Sequence, residues 1–177
     1  RLTSAPRVFL GAAANPFAPP RDYRPHRLAK KVAAGAQFVQ TQYCFDIAVF
    51  SDYMSAVRDA GILEDVFVLA GVGPLASARS AEWIRNNVPG VHIPDDVIRR
   101  LSGAADQKQE GVNLCVEMIN ELQQIEGVRG VHIMAFRQED RVAEIVERSG
   151  VLGDREPWRP RREWEELASS DEEAVQI

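Results

Sequence analysis

Gln40 and Gln42 lie in the β-prone stretch Phe38-Val39-Gln40-Thr41-Gln42-Tyr43, where they share a strand face with Phe38 while Val39, Thr41 and Tyr43 face the other way. A primary amide near the carboxyl end of a barrel strand offers donors and an acceptor together, which suits the amide-like edge of a heterocycle or a nicotinamide. Gln42 is nearer that end and is the better candidate; the alternative is a pair of core glutamines bonded to each other. Arg24, Arg27 and Lys31 recur at intervals of three and four beside the apolar Leu28 and Val32, with Arg21 and Lys30 nearby. Such a basic stripe can hold a diphosphate, because guanidinium and ammonium groups pair directly with phosphate oxygens. A solvated helix face is the plainer account of the same spacing. Gly71-Val72-Gly73-Pro74-Leu75-Ala76 formally fits a dinucleotide-binding turn, but Pro74 removes a backbone donor there and Asp95, the acid at the right distance, opens a helix. An ordinary strand-to-helix turn competes with it. Arg137 and Gln138 directly follow the last strand, the end at which barrel sites lie. His132 alternates with Met134 and Phe136 on the last strand, and His26 and His92 have no acid or thiol at ligand spacing; all three read as structural histidines, no metal is expected, and no residue stands out as a nucleophile or general acid.

The elements that must carry these residues alternate. An apolar run from Val8 to Ala14 reads as a strand ending at Asn15-Pro16, and a helix follows from Pro25 to Ala34, stopped by Gly35. The strand at Phe38 to Tyr43 leads through the cap Asp46 into a helix from about Ile47 to Ala60, closed by Gly61. A third unit pairs a strand from Val66 to Gly71 with helices near Ser77 to Asn86, Asp95 to Leu101 and Gln107 to Glu126, with a short apolar patch from Val91 to Ile93 among them. The fourth is a strand from Val131 to Ala135 and a helix from Glu139 to Ser149, stopped by Gly150. Strands alternating with helices imply an α/β fold with parallel strands and right-handed crossovers, here four βα units.

The 177 residues are 45% hydrophobic and 27% charged, the mix of a globular protein with a core. The length falls short of the ~250 residues of a full (β/α)8 barrel. No stretch approaches the roughly 18 apolar residues of a membrane span, and the net charge of -5 disfavours nucleic acid and anionic lipid as partners. Cys44 and Cys115 stand far apart and suggest free thiols in a cytoplasmic chain, with no visible targeting segment. Residues 1–152 read as the folded part. Residues 153–177 carry four basic and eight acidic side chains, with Trp158 and Trp164 as anchors, and read as an acidic extension.

Taken in order, Gly11-Ala-Ala-Ala-Asn15-Pro16, Leu28-Ala-Lys-Lys31 with Ala34-Gly-Ala36, Thr41-Gln42-Tyr-Cys-Phe45-Asp46, Ala70-Gly-Val-Gly-Pro74, Val91-His-Ile-Pro94 and Val131-His-Ile-Met resemble the methylenetetrahydrofolate reductase family, from Arg7 to Leu152. The resemblance implies a TIM-barrel type fold in which this chain spans strands five to eight. It implies FAD as cofactor, reduction of 5,10-methylenetetrahydrofolate to 5-methyltetrahydrofolate, NADH or NADPH as electron donor, and a place in one-carbon metabolism and methionine biosynthesis. By the same resemblance Gln42 serves folate and nicotinamide. Asn15 falls at a flavin-contacting position, and Arg24, Arg27, Lys30 and Lys31 fall on the helix that holds the FAD phosphates and ribityl chain. Arg137-Gln138 stands where an Asn-Arg pair binding the folate tail is usual, Arg24 where an acid is common, Ser80 where some members have a glutamine and Ile84 where they have a phenylalanine. The family's catalytic glutamate and flavin-proximal aspartate belong to the first four strands and have no counterpart here, so no catalytic residue is assigned. Four strands leave two open edges and a bare inner face, which calls for a covering partner: an amino-terminal half-barrel or a second copy of the chain. A half-barrel that binds flavin, folate or a partner without catalysis is one alternative; a Rossmann-type nicotinamide binder built on Gly71 and Gly73 is another.

Overall fold

The computed structural model describes residues 8–155. Four strands, β1 (Gly11–Ala14), β2 (Phe38–Tyr43), β3 (Phe67–Val72) and β4 (Val128–Ile133), form one sheet in the order β1-β2-β3-β4. All three pairings are parallel. The helices are α1 (Arg24–Ala33), α2 (Ile47–Asp59), α3 (Ala78–Asn87), α4 (Asp95–Gly103), α5 (Gln107–Leu122) and α6 (Val142–Ser149). Their starts follow local chemistry. Asp46 Oδ1 accepts from the Val49 N–H at 3.0 Å, Asp106 Oδ1 accepts from the Gln109 N–H at 3.0 Å, and Ser77 and Ser80 cap α3 reciprocally. Gly61 and Gly150, both left-handed, end the turns after α2 and α6.

Burial alternates along the strands as a half-covered sheet requires. Val39, Thr41, Val68, Ala70 and Val72 are buried and share a single core with Phe50, Met54, Val57, Val112, Ile119, Leu122 and Ile145 from the helices. The opposite face is open. At its lower end, where the strands begin, Phe9 stacks on Phe38 with ring centroids 5.2 Å apart and leans on Phe67 at 6.2 Å. At its upper end the side chains turn polar, with Gln40, Gln42 and His132. The polar side chains of this face thus gather towards the carboxyl ends of the strands.

Several boundaries differ from those expected. β1 begins at Gly11, and Val8 to Leu10 precede it as exposed chain. β4 runs from Val128 to Ile133, because α5 stops at Leu122 and the left-handed Gly127 turns the chain into the sheet three residues early. Val91 and Ile93 are buried without forming a strand. A 3-10 turn at Glu139–Arg141 precedes α6, which starts at Val142. Of the acidic extension only residues up to Arg155 are described, so Trp158 and Trp164 lie outside the described residues. Among the described residues the strands follow one another without the reversal of order that creates a dinucleotide crevice in a doubly wound sheet, an order that agrees with a TIM-barrel type fold and gives the Rossmann alternative no switch point there.

Both cysteines are buried and free. Burial pushes the Cys44 and Cys115 thiols up to about 12. Folding therefore favours the neutral thiols: this contribution is complete below the ordinary thiol range and is lost as pH rises towards 12. Ellman-type titration of the native protein at pH 8 is expected to show both thiols unreactive, and both reactive in denaturant. Rapid native labelling of either one would contradict the packing.

Candidate functional site

The site is organised by an irregularity in β2. Gln40 pairs with Leu69, yet Tyr43 pairs with Gly71, so β2 carries one residue more than β3 between these points. This is a bulge, a device that re-aims side chains beside binding sites. Around it the Gly71 N–H donates to Thr41 Oγ1 at 2.8 Å, and the Cys44 N–H donates to the Gly71 carbonyl at 2.8 Å. Gln42 Oε1 accepts from the N–H of Tyr43 at 3.0 Å, which leaves the Gln42 Nε2 hydrogens for a ligand. Tyr43 reaches across β3 and donates its hydroxyl to the Met134 carbonyl at 2.7 Å; burial raises the pKa of this phenol, keeping it protonated. Gly71 and Gly73 make room for these crossings. A Cβ on Gly71 would press on the carbonyls of Thr41 and Gln42, and one on Gly73 would press on the Met134 carbonyl and the Tyr43 ring. The glycines of the formal dinucleotide motif thus accommodate the protein's own backbone.

Two cavities adjoin this region. The first, about 430 Å³, is lined by Asn15, Arg24, Arg27, Lys30 and Lys31, with Leu28, Ala34 and Tyr53 as its less polar walls. Every residue expected from the sequence to hold a cofactor therefore lines one space. The second, about 370 Å³, lies on the upper part of the open sheet face and is lined by Gln40, Gln42, His132 and Met134, together with Ala13 and Thr41. Ala14, Asn15 and Lys31 line both. Among the described residues, no Asp or Glu lines either cavity.

The individual residues differ in how far the fold already uses them. Lys31 donates its ammonium to the Ala13 carbonyl, which pins it at the junction of the two cavities. Asn15 Oδ1 accepts from the Phe17 N–H at 2.9 Å, and its amide lies where Gly90 has no side chain, so the loop before α4 is seated against it. Arg24 is buried, and its Nε donates to the Ala18 carbonyl at 2.7 Å. Burial lowers the pKa of that guanidinium, with Arg21 adding to the effect. Lys30 donates to the Tyr23 hydroxyl at 3.0 Å, and both Lys30 and Arg27 lie against the Tyr23 ring. Arg137 and Gln138 line neither cavity. Arg137 has a left-handed backbone and stacks its guanidinium over the exposed Phe136 ring, while Gln138 is buried and donates Nε2 to the Pro74 carbonyl at 3.0 Å.

Residue pattern alone offers little reason to select His132. It stands in register with Gly71, and its Nδ1 is the buried side-chain polar atom without a partner among the described residues. The one signal in the sequence is its alternation with Met134 and Phe136 on the last strand. Thr41 escapes selection because it faces the core, and its use depends on a register break that no local pattern announces.

Comparison with known proteins adds an independent line. The family profile described as Methylenetetrahydrofolate reductase matches residues 11–150. Methylenetetrahydrofolate reductase 2 of Saccharomyces cerevisiae is 32% identical over 133 residues, which is 71% of this chain and 21% of that protein. The 5,10-methylenetetrahydrofolate reductase of Escherichia coli is 27% identical over 128 residues, 70% of this chain and 42% of that protein. The chain thus spans less than half the length of these relatives. Among solved structures, an uncharacterised protein from Clostridium thermocellum, described as binding two copies of 5-methyl-5,6,7,8-tetrahydrofolic acid, superposes with a TM-score of 0.61 at 17% identity, covering 80% of this chain and 52% of that one. That likeness supports the fold. With the profile match covering every described strand and helix, the chain belongs to the methylenetetrahydrofolate reductase family.

Proposed function

We propose that this chain supplies the cofactor- and folate-binding part of a flavin-dependent methylenetetrahydrofolate reductase, which converts 5,10-methylenetetrahydrofolate to 5-methyltetrahydrofolate at the expense of NADH or NADPH. The observation that carries this reading is the junction of the two cavities, one cationic and one amide-lined, at Ala14, Asn15 and Lys31. A flavin dinucleotide needs a cationic place for its diphosphate beside a polar, flat place for its ring. The residues fit: four cationic side chains face one space and, among the described residues, no carboxylate lines either space to repel phosphate. When bound, the flavin supplies the two-electron chemistry.

The chain's own side chains bind and orient. In this reading Arg27, Lys30 and Lys31 neutralise phosphate charge, Arg24 braces the loop after β1 through Ala18, and Asn15 contacts the cofactor. Gln42 presents Nε2 hydrogens to the amide-like edge of the folate or nicotinamide. Arg137 and Gln138 remain proposed for the folate tail. For Gln138 this role requires release from Pro74. The bare face and the free sides of β1 and β4 would be closed by further parallel strands, from an amino-terminal half-barrel or a second copy. We place the working barrel part at residues 1–152, the acidic extension at 153–177, and the protein in the cytoplasm.

The test is Gln42→Ala in the flavin-loaded full-length gene product, titrated with 5-methyltetrahydrofolate. Affinity should fall about tenfold, the loss expected for one hydrogen bond to a well-oriented polar group, with flavin retained. Unchanged affinity would overturn the assignment.

A further inference from the structure

The Gln42 amide is held in place from the opposite side of its own strand. Thr41 is 3% exposed on the helix-facing side of β2. Within the bulge, Thr41 and Gln42 together occupy the space opposite one residue of β3, so the ladder cannot be satisfied by backbone alone at regular spacing. The Thr41 hydroxyl fills the gap in both senses. It accepts from the Gly71 N–H at 2.8 Å and donates to the Gln42 carbonyl at 2.9 Å, with Cys44 Sγ a further neighbour at 3.2 Å. Against the other side of the same peptide lies Gly71, whose missing side chain lets the Thr41 and Gln42 carbonyls approach; a Cβ there would lie 2.7 Å from the Gln42 oxygen. The peptide carrying Gln42 is thus bonded through the hydroxyl and packed on Gly71.

We propose that Thr41 is the positioning residue for Gln42: its hydroxyl locks the bulge so that the Gln42 amide is presented to a ligand with an amide-like heterocyclic edge. The inference rests on the reading of Gln42 as a ligand-binding group. The link is geometric. Gln42 Oε1 is tied to the next N–H, that of Tyr43, so the orientation of the amide follows that of the local backbone. If the bulged peptides rotate, the Tyr43 N–H turns with them and Nε2 loses its aim. Valine has nearly the shape of threonine but can neither accept from Gly71 nor donate to Gln42, whereas serine can do both.

The experiment is a double-mutant cycle in the flavin-loaded full-length gene product, titrated with 5-methyltetrahydrofolate, alongside hydrogen exchange at the Gly71 amide. Thr41→Val should weaken binding about tenfold and speed Gly71 exchange, while Thr41→Ser should remain within about twofold of the parent on both readouts. In a Gln42→Ala background, Thr41→Val should cost no further affinity, because the group it positions is gone. A merely structural role would leave the two losses additive, and that result overturns the inference. So does parental affinity in Thr41→Val when Gln42→Ala alone is damaging. A silent Gln42→Ala overturns instead the reading on which the inference rests, and the inference with it. Should Thr41→Val fail to fold, Thr41→Ala takes its place in the cycle, where a non-additive loss supports the inference and an additive one overturns it.

Discussion

Gly111→Ala is expected to lower the melting temperature by about 10 °C, from a net destabilisation of ~2–4 kcal/mol. Gly111 lies inside α5, where alanine is the better helix former by ~1 kcal/mol, so propensity alone predicts the opposite sign. Packing decides otherwise. A Cβ at this position would collide with the Leu75 carbonyl oxygen and approach the Leu75 carbonyl carbon and nitrogen to 2.8 and 3.0 Å. All three atoms are backbone, in the turn that joins β3 to α3, and that turn also accepts the Gln138 side chain at Pro74. It cannot yield without moving the strand end. Gly103→Ala is the control, since nothing lies within 4 Å of a Cβ there, and it should melt at or above the parent temperature. Thermal denaturation followed by circular dichroism measures both, and a Gly111→Ala melt within about a degree of the parent would refute the packing argument.

Reversal of charge at Lys31 is expected to reduce flavin affinity about 30- to 100-fold, and its removal in Lys31→Ala about tenfold, matching the 1.5–3 kcal/mol of a hydrogen bond to a charged group. Lys31 is singled out from the other cations because it lines both cavities and its ammonium is held by the Ala13 carbonyl at the end of β1. A lysine so tethered loses little side-chain entropy on meeting a phosphate. The loss should shrink as salt is raised, because the charge of the exposed Lys31 is screened. Titration of apoprotein with FAD, followed by visible absorbance at two ionic strengths, reads the effect. Lys31→Glu protein that binds FAD as tightly as the parent would remove the cationic cavity from the proposed site.

The order of elements was legible in the sequence because this chain punctuates itself. Asp46, Ser77 and Asp106 cap helices, Gly61 and Gly150 end them, and the β-branched runs fall between. The clustering of Arg24, Arg27, Lys30 and Lys31 was legible too, since helical spacing alone puts them on neighbouring faces. What could not be read depends on partners distant in the chain. Pro74 and Asp95 already speak against a phosphate loop at Gly71 and Gly73, but what the two glycines make room for, namely Thr41, Gln42, Tyr43 and Met134, is set by the fold. Gln138 looks like a free amide at a strand end until Pro74, 64 residues away, is found bonded to it. The tetrapeptide Gly-Val-His-Ile makes the same point within one molecule. At Gly90, with φ of 74°, it begins a loop packed on Asn15 whose Val91 and Ile93 are buried while His92 is exposed; at Gly130 it lies within β4 opposite Leu69. Identical neighbours in sequence meet different neighbours in space.

The Tyr43 hydroxyl bound to the Met134 carbonyl has a mechanical meaning. Together with the Cys44 to Gly71 and Gln138 to Pro74 bonds, it cross-braces the upper ends of β2, β3 and β4 into a small truss. A braced rim has few shapes to choose among before a ligand arrives, so it surrenders little freedom on binding. Most of the ordering cost of association then falls on the incoming molecule, and flexible ligands are disfavoured relative to flat, rigid ones.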